Sequence, residues 1–507
     1  MGFQDCDSDP LTGCETDIHS VDNCGACGVV CEFANASAQC GGGTCAFDAC
    51  AAGWMDLNAD LSDGCEYECT KQSEHDLPDV NGIDANCDGI DGMVARGVFV
   101  ATTGSDTTGA GTLTSPYQSI GYAITVASQV SGLDHAYVAA GDYDEQVTLF
   151  NGVSIFGGYD ATDNWARDPS HITRIAYTGE TGRKIAVRGT DITAPTNLGM
   201  LTISTDSVTS GNGNNTALYC RNCSALIIQN STFSPGDAGN GTSGTNGAAA
   251  LGAGSVGGAG QNGRSNSTSP TIGGAGGPSR CGRTGGRGGN GGVVTNPGNT
   301  GGTGVASSSG GSPGPMGTAG GRGANGAAPN DGQHGAGGNN GQVIGGFWQG
   351  ANGRDGIDGT SGNGGGGGCH GYHGTAGTSG GSVFALFLLD SSGITLSNNT
   401  IIGAKGGDGG NGGAGSAGSA GAIGLAGGSA AGPSGRGGAG GNGSRGGNGG
   451  HGGGGAGGNS YGIFLHNTAP NTSLPGNNAF TPGVGGQGGV GGNASGNAGA
   501  NGVAVNF

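Results

Sequence analysis

The chain has 507 residues, of which 127 are glycine, and aromatic residues make up only 5%. An ordinary globular core over the whole length is excluded, and about two to four structural units are expected. The formal charge of −19 is confined almost entirely to residues 1–92, which hold 14 Asp and 5 Glu against Lys71, a net of −18; this argues against nucleic-acid binding and suits divalent cations.

In chain order, the acidic head comes first, over residues 1–92. Eleven of the fifteen cysteines lie at or before Cys87. Dense cysteine in a short acidic stretch reads as a disulfide framework in an oxidising setting, extracellular or on a cell surface. Structural zinc on Cys24-x2-Cys27-x3-Cys31 is the alternative. The head contains a repeat offset by 51 residues: Gly2-Phe3-Gln4-Asp5 leads to Gly13-Cys14-Glu15, and Gly53-Trp54-Met55-Asp56 leads to Gly64-Cys65-Glu66. Asp5, Asp7, Asp9 and Glu15 thus match Asp56, Asn58, Asp60 and Glu66. Oxygen ligands at i, i+2 and i+4 are what a calcium loop uses, because alternate side chains converge on one hard cation. Pro10 and Leu61 stand where an EF-hand needs glycine, so an EF-hand is not supported. A third acidic turn, with Asp84, Asn86, Asp88 and Asp91, closes the head. These twelve residues are the candidate Ca2+ ligands; solvated turns are the alternative, since Asp and Asn favour turns on their own account. The head begins partway through a repeat and no signal peptide follows Met1, so a longer protein with a further copy upstream is expected.

The Asn23-Cys24-Gly25-Ala26-Cys27-Gly28 block and the Asn86-Cys87-Asp88-Gly89 turn resemble secreted cysteine-rich repeat proteins of myxobacteria. The resemblance implies a module that decorates large surface proteins, of a kind often assigned as a metal-binding repeat.

Residues 93–233 read differently. Residues 97–101 form a short apolar strand. Apolar positions at Ile120, Ile124, Ala127 and Val130 predict a helix within 117–130. Short strands are predicted at 136–139, 146–150, 153–156, 172–177, 185–187 and 201–203, separated by Gly, Asp and Asn. A strand, a helix and then evenly stepped strands look like the capped start of a right-handed parallel β-helix. Ser115-Pro116-Tyr117-Gln118-Ser119-Ile120, Val138-Ala139-Ala140-Gly141-Asp142 and Val153-Ser154-Ile155-Phe156-Gly157-Gly158-Tyr159-Asp160 resemble the opening of pectin-lyase-like secreted proteins. That group includes polysaccharide lyases, which need acids holding calcium beside a basic residue. The bases here are Arg167, Arg174, Arg183, Lys184, Arg188 and Arg221, with no matching acid cluster in the sequence, so a non-enzymatic scaffold is expected.

Beyond residue 216 the same rung wording recurs. Ala217-Leu218-Tyr219 leads through Leu226-Ile227-Ile228 to Asn230-Ser231-Thr232-Phe233, and Phe384-Ala385-Leu386-Phe387-Leu388 leads through Ile394-Thr395-Leu396 to Asn398-Asn399-Thr400-Ile401. Tyr461-Gly462-Ile463-Phe464-Leu465 leads to Asn477-Asn478-Ala479-Phe480, and Val503-Ala504-Val505 opens the pattern again. Stacked Asn side chains are expected at the turns. Between rungs lie glycine-rich tracts. In 403–459 glycine falls on nearly every third position, from Gly403 to Gly427 and from Gly437 to Gly458. A strict third-residue glycine points to extended threefold helices packed by their glycine edges. Proline is too scarce for collagen, and a long structureless loop in a compact protein is implausible. The tracts resemble the polyglycine II bundles of phage tail-fibre adhesins, the snow flea antifreeze protein and the N-terminal domain of Obg GTPases. In 234–381 the beat comes in pieces, Gly282 to Gly291, Gly311 to Gly326, Gly332 to Gly341 and Gly350 to Gly380. Antiparallel arms are expected, with turns at breaks such as Asn296-Pro297-Gly298 and Pro329-Asn330-Asp331; residues 430–433 interrupt the later tract.

The expected architecture is therefore all-β: an acidic cysteine-rich module (1–92), a capped parallel β-helix (93–233), polyglycine II insertions (234–381 and 403–459), a short glycine-rich insertion (481–501), rungs between them (382–402 and 460–480) and the start of another (502–507). Cys281 with Cys369 and Cys220 with Cys223 are expected disulfides. Cys369-His370-Gly371-Tyr372-His373 offers metal-ligand residue types. Phe347-Trp348 is an anchor or an exposed tip. No apolar stretch reaches the ~18 residues of a membrane span. The expected function is a secreted or cell-surface structural or adhesive scaffold, with surface glycans, matrix proteins or further copies of itself as partners, the last giving a fibre. The alternatives are a polysaccharide-binding or polysaccharide-degrading protein and an ice-binding protein.

Overall fold

The computed structural model describes residues 2–179, 182–264, 269–282, 287–293, 297, 318–362, 367–430, 434–467, 477–493 and 497–506. The expected turn at Asn296 and Gly298, the glycine beat from Gly311 to Gly317, the break at Pro433 and the last residue Phe507 lie outside them.

Short apolar strands punctuated by Asn, Asp and Gly wind the chain through three sheets. Sheet one holds Gly97–Val100, His135–Ala139, Ser154–Asp160, Thr196–Gly199, Leu226–Gln229 and Thr395–Ser397. Sheet two holds Gly141–Tyr143, Thr173–Tyr177, Leu201–Thr205, Thr232–Ser234, Thr400–Ile402 and Ala479–Thr481. Sheet three holds Val147–Thr148, Lys184–Thr190, Asn215–Arg221, Val383–Leu389, Ser460–His466 and Ala504–Val505. From His135 to His466 the chain enters one, two and three in that order and then starts again, and the next described strands, Ala479–Thr481 and Ala504–Val505, extend sheets two and three. Neighbours along each sheet are parallel; the short strand Ala166–Arg167 lies antiparallel on Ser154–Asp160.

Parallel pairing places like positions of successive turns side by side. Ile155, Leu198, Ile228 and Leu396 form one column in sheet one. Ile175, Ile203, Phe233 and Ile401 form one in sheet two. Val147, Val187, Leu218, Leu386 and Ile463 form one in sheet three. All are buried, each stabilising the fold by about 1.5–3 kcal/mol. Few apolar residues per strand thus suffice, because each turn buries its column against the next. At the turn between sheets one and two, the Asn399 carboxamide oxygen accepts from Ser231 N–H at 3.0 Å and the Asn478 oxygen accepts from Asn399 N–H at 2.9 Å. Asn230 and Asn398 hold φ of 50° and 55° there, a conformation Asn tolerates better than most residues.

The helix forms at Ile120–Gln129 and covers the first end of the core with Ile120, Ala123, Ile124 and Ala127. Val130, expected on that face, is 46% exposed, because it sits past the last helical turn. The Glu145 carboxylate accepts from Ile120 and Gly121 N–H at 2.8 Å each, satisfying helix-end donors that would otherwise lack partners.

The head is built from small antiparallel hairpins, the longest being Ala36–Gly41 with Thr44–Cys50, tied by Cys6–Cys27, Cys24–Cys40, Cys31–Cys45, Cys50–Cys65 and Cys69–Cys87. Its last loop docks on sheet one. Arg167 and Asp91 form an ion pair at 3.0 Å with side chains 2% and 1% exposed, and Tyr159 Oη donates to Asp91 O at 2.6 Å.

Every glycine-rich excursion leaves after sheet two and returns at sheet three. One separates Thr232–Ser234 from Val383–Leu389, the next Thr400–Ile402 from Ser460–His466, the last Ala479–Thr481 from Ala504–Val505. The two ends of each lie close, with Gly381 N–H on Gly239 O, Gly458 N–H on Gly407 O and Gly502 N–H on Gly486 O, each at 2.8 Å, so even long excursions cost little extra closure entropy. Arms consecutive in sequence run antiparallel: Gly353, Gly356, Gly359 and Gly362 donate to Gly377, Gly374, Gly371 and Gly368. Arms from successive turns run parallel: Gly241, Gly244 and Gly247 donate to Asp408, Asn411 and Ala414, and Gly406, Gly409 and Gly412 donate to Val484, Gln487 and Val490. The bonds recur at the glycine spacing. One departure from an all-glycine excursion is the hairpin Gln342–Ile344 with Phe347–Gln349.

Candidate functional site

The acidic loops of the head share one backbone design. Asp5 Oδ1 accepts from Ser8 N–H at 2.7 Å, Asp7 Oδ1 from Asp9 N–H at 2.8 Å and Asp9 Oδ1 from Leu11 N–H at 2.9 Å. In the second copy Asp56 accepts from Ala59 at 2.8 Å, Asn58 from Asp60 at 2.7 Å and Asp60 from Ser62 at 3.0 Å. In the third, Asp84 accepts from Cys87 at 2.6 Å and Asn86 from Asp88 at 3.0 Å. Ser8, Ala59 and Cys87, each three residues after the first acid, take positive φ of 62°, 59° and 60°. The third acidic turn is thus a further copy of the design: its D-x-N-x-D spelling matches the second, and it has Gly89 at the sixth position, whose N–H donates to Asp84 at 2.8 Å.

The loops differ in what they gather. In the first, carboxylate oxygens of Asp5, Asp7 and Glu15 lie within 4.8 Å of one another; Asp9 is not in that set. Glu15 also accepts from Cys6 N–H at 3.1 Å. In the second, Glu66 folds back in the same way onto Leu57 and Asn58 N–H at 2.9 and 3.2 Å, and these bonds, the Leu57 N–H first, hold its carboxyl below the usual range. Hydrogen bonds from Ser62 do the same for Asp60. Among the described residues, Asp56, Asp60 and Glu66 do not converge as their counterparts do. In the third, burial pushes the Asp88 carboxyl up, and Asp88 Oδ1 has no hydrogen-bond partner. Asp91 points away from Asp84, Asn86 and Asp88 to Arg167; burial pushes its carboxyl up to about 7 against the pull of that guanidinium. Three carboxylate oxygens converge in the first loop, fewer than the 6–8 oxygen ligands that Ca2+ takes, so backbone and water would have to complete any shell there.

The other candidate chemistry resolves into structure. Cys24, Cys31 and Cys45 lie close enough for a metal, yet each belongs to a disulfide. Cys369 is bonded to Cys281, and Cys220 to Cys223. His370 Nδ1 meets Ser361 Oγ at 3.0 Å and His373 Nδ1 meets Asp358 at 2.7 Å. Across the arms, His334 Nδ1 accepts from His451 N–H, and His451 Nδ1 accepts from Gly415 N–H, both at 3.0 Å. Asn240 and Asn246 take Asp408 and Ala414 N–H in the same manner, each at 2.8 Å. Polar side chains between the glycines therefore satisfy backbone N–H groups of neighbouring arms.

Four of the six bases near the winding are engaged, while Arg188 Nε is buried with no hydrogen-bond partner among the described residues. Arg167 holds Asp91, Arg174 pairs with Asp142 at 3.0 Å, Lys184 pairs with Asp206, and Arg183 lies 3.8 Å over the Phe347 ring. Phe347 stacks on Tyr219, and Trp348 packs edge-on against Phe384, Tyr461 and Phe464. The hairpin thus covers the outer face of sheet three. No helix among the described residues is long and apolar enough to cross a membrane. No protein-family model matches the chain, and no curated protein or solved structure matches it.

Proposed function

We propose that the chain is a secreted or surface-attached structural and adhesive scaffold without enzymatic activity, able to assemble with further copies of itself. In this reading the three-sheet winding is a right-handed parallel β-helix of the pectin-lyase-like kind. Its excursions are polyglycine II bundles, and the head is a surface-protein repeat of the myxobacterial type that takes Ca2+ at Asp5, Asp7 and Glu15. The observation that carries the reading is the third-residue bonding between arms from one corner of the winding. It favours rigid rods over flexible linker, whose compositions are otherwise alike. The seven disulfides support an oxidising location. The test is limited proteolysis alongside a polysaccharide panel. Arms that survive protease while no polysaccharide yields reducing or unsaturated ends support the scaffold. Rapid cleavage throughout the glycine tracts removes it, and released sugar ends make the protein an enzyme. Calcium titration calorimetry checks the head: heat that vanishes in Asp7→Asn supports the site, and no heat in the parent chain contradicts it.

A further inference from the structure

The chain is polarised in charge. The head carries −18, whereas residues 238–330 contain five arginines and no Asp or Glu, and residues 409–507 contain two arginines and no Asp or Glu. The fold gathers these basic tracts. Arg264 N–H donates to Ser434 Oγ at 2.5 Å, Gly320 N–H to Arg436 O at 2.9 Å, Gly438 N–H to Gly289 O at 2.8 Å and Gly289 N–H to Gly321 O at 2.9 Å. Arg264, Arg287, Arg322 and Arg436 therefore share one cross-section of the arms, and all four are exposed. Among the described residues none of them pairs with a carboxylate; the ion pairs lie elsewhere.

We propose that this arginine end of the glycine arms docks on the acidic head of a second copy of the chain. Guanidinium groups stay charged at any working pH and suit carboxylates as planar, two-pronged donors. Clustering them without a counter-charge is repulsive, and a partner carboxylate surface relieves it. The matching surface is present once in every copy of the same molecule, with acids in excess over the four arginines. Head carboxylates are ion-paired only at Asp17, Glu74 and Asp91 among the described residues, which leaves most of the acidic surface available. The two surfaces are different parts of the chain, so the contact is heterologous and continues into an open-ended assembly. A second copy is favoured over a foreign polyanion because one chain carries both halves of the complementary pair. The inference deepens the self-assembly part of the proposed function and does not depend on the Ca2+ or non-enzymatic parts.

The test is sedimentation velocity on the full chain, with chelator present, at about 30 mM and about 1 M salt. The parent chain is expected to grow with concentration at low salt and to fall to monomer at high salt. The variant carrying Arg264→Gln, Arg287→Gln, Arg322→Gln and Arg436→Gln is expected to assemble at least about tenfold more weakly. The corresponding four Arg→Glu changes, in a chain whose head is intact, should shorten parent assemblies on mixing, because the head still accepts a parent tip. Matching circular dichroism establishes that the variants fold. A monomeric parent at low salt, or a Gln variant assembling like the parent, overturns the proposal. So does a monomeric parent that is retained on dextran sulfate, which would assign the arginines to a foreign polyanion. None of these results bears on proteolysis or sugar release, so failure here is distinguishable from failure of the scaffold reading.

Discussion

Replacing Gly359 by alanine probes the arms directly. A Cβ there would lie 2.5 Å from the carbonyl oxygens of both Gly447 and Asn448. Ordinary contact begins at 3.4 Å, so the neighbouring arm must retreat by about 0.9 Å. Both oxygens are occupied: Gly447 O accepts from Gly371 N–H and Asn448 O from Gly332 N–H, each at 2.8 Å, while Gly359 N–H itself donates to Gly371 O at 3.1 Å. Three hydrogen bonds at about 1 kcal/mol each put the local cost near 3 kcal/mol. A flexible tract has no neighbour for the Cβ to strike and no protection to lose, while an ordered site open to alanine would be stabilised by about 0.4–1 kcal/mol. The readout is hydrogen exchange at the amides of Gly332, Gly359 and Gly371, because local opening in a protein of several parts is not captured by one global transition. Loss of protection by roughly a hundredfold is expected, corresponding to about 3 kcal/mol. Ile357→Ala, on the exposed side of the same arm, should change protection by less than about 0.5 kcal/mol. Unchanged or increased protection in Gly359→Ala would refute glycine-edge packing.

Other consequences follow from the same geometry. Trp348→Ala should cost about 3–5 kcal/mol at the hairpin 342–349, because it empties a buried site against three rings; exchange of Val343 and Ile344 amides reports it. Replacing both Cys281 and Cys369 by serine opens a link across 88 residues and should lower arm stability by about 4 kcal/mol on chain-entropy grounds, measured by urea denaturation followed through arm amides. Burial first, and then Arg96, hold His135 down at about 4. Its folded pKa lies below the unfolded value near 6.5, so its contribution is present above that value and is lost as pH falls toward 4. The parent should lose about 3 kcal/mol more than His135→Gln between pH 7 and pH 4, read from urea midpoints; parallel pH profiles would contradict this.

The parts of the fold that were legible in the sequence are those where side chains repeat a role. Phe233, Ile401 and Phe480 follow Asn-rich turns in three separate rungs, and parallel pairing gives like positions like surroundings. Gly141–Tyr143 and Thr196–Gly199 escaped notice because they are short and polar, and their strand character comes from neighbours in the next turn. Ala166–Arg167 is set by the fold-back onto Ser154–Asp160 that places Arg167 on Asp91. The spacing of the first two acidic loops was visible, but which of them converges was not. Asn58 stands where Asp7 stands in the first copy, and whether Asp9 or Asp60 joins the others depends on which way each carboxylate turns. His370 and His373 offered metal-ligand residue types in sequence, yet their Nδ1 atoms meet Ser361 and Asp358, partners that only the folding of the arms brings near.

The central claim is that glycine-rich arms from one corner of the winding are ordered by bonds between neighbours. An experimentally determined backbone of residues 237–264 and 403–428 tests it most directly. The account predicts Gly241, Gly244 and Gly247 N–H groups within hydrogen-bonding distance of the carbonyls of Asp408, Asn411 and Ala414. Arms that lack continuous order, or that pair without a three-residue step, would contradict it.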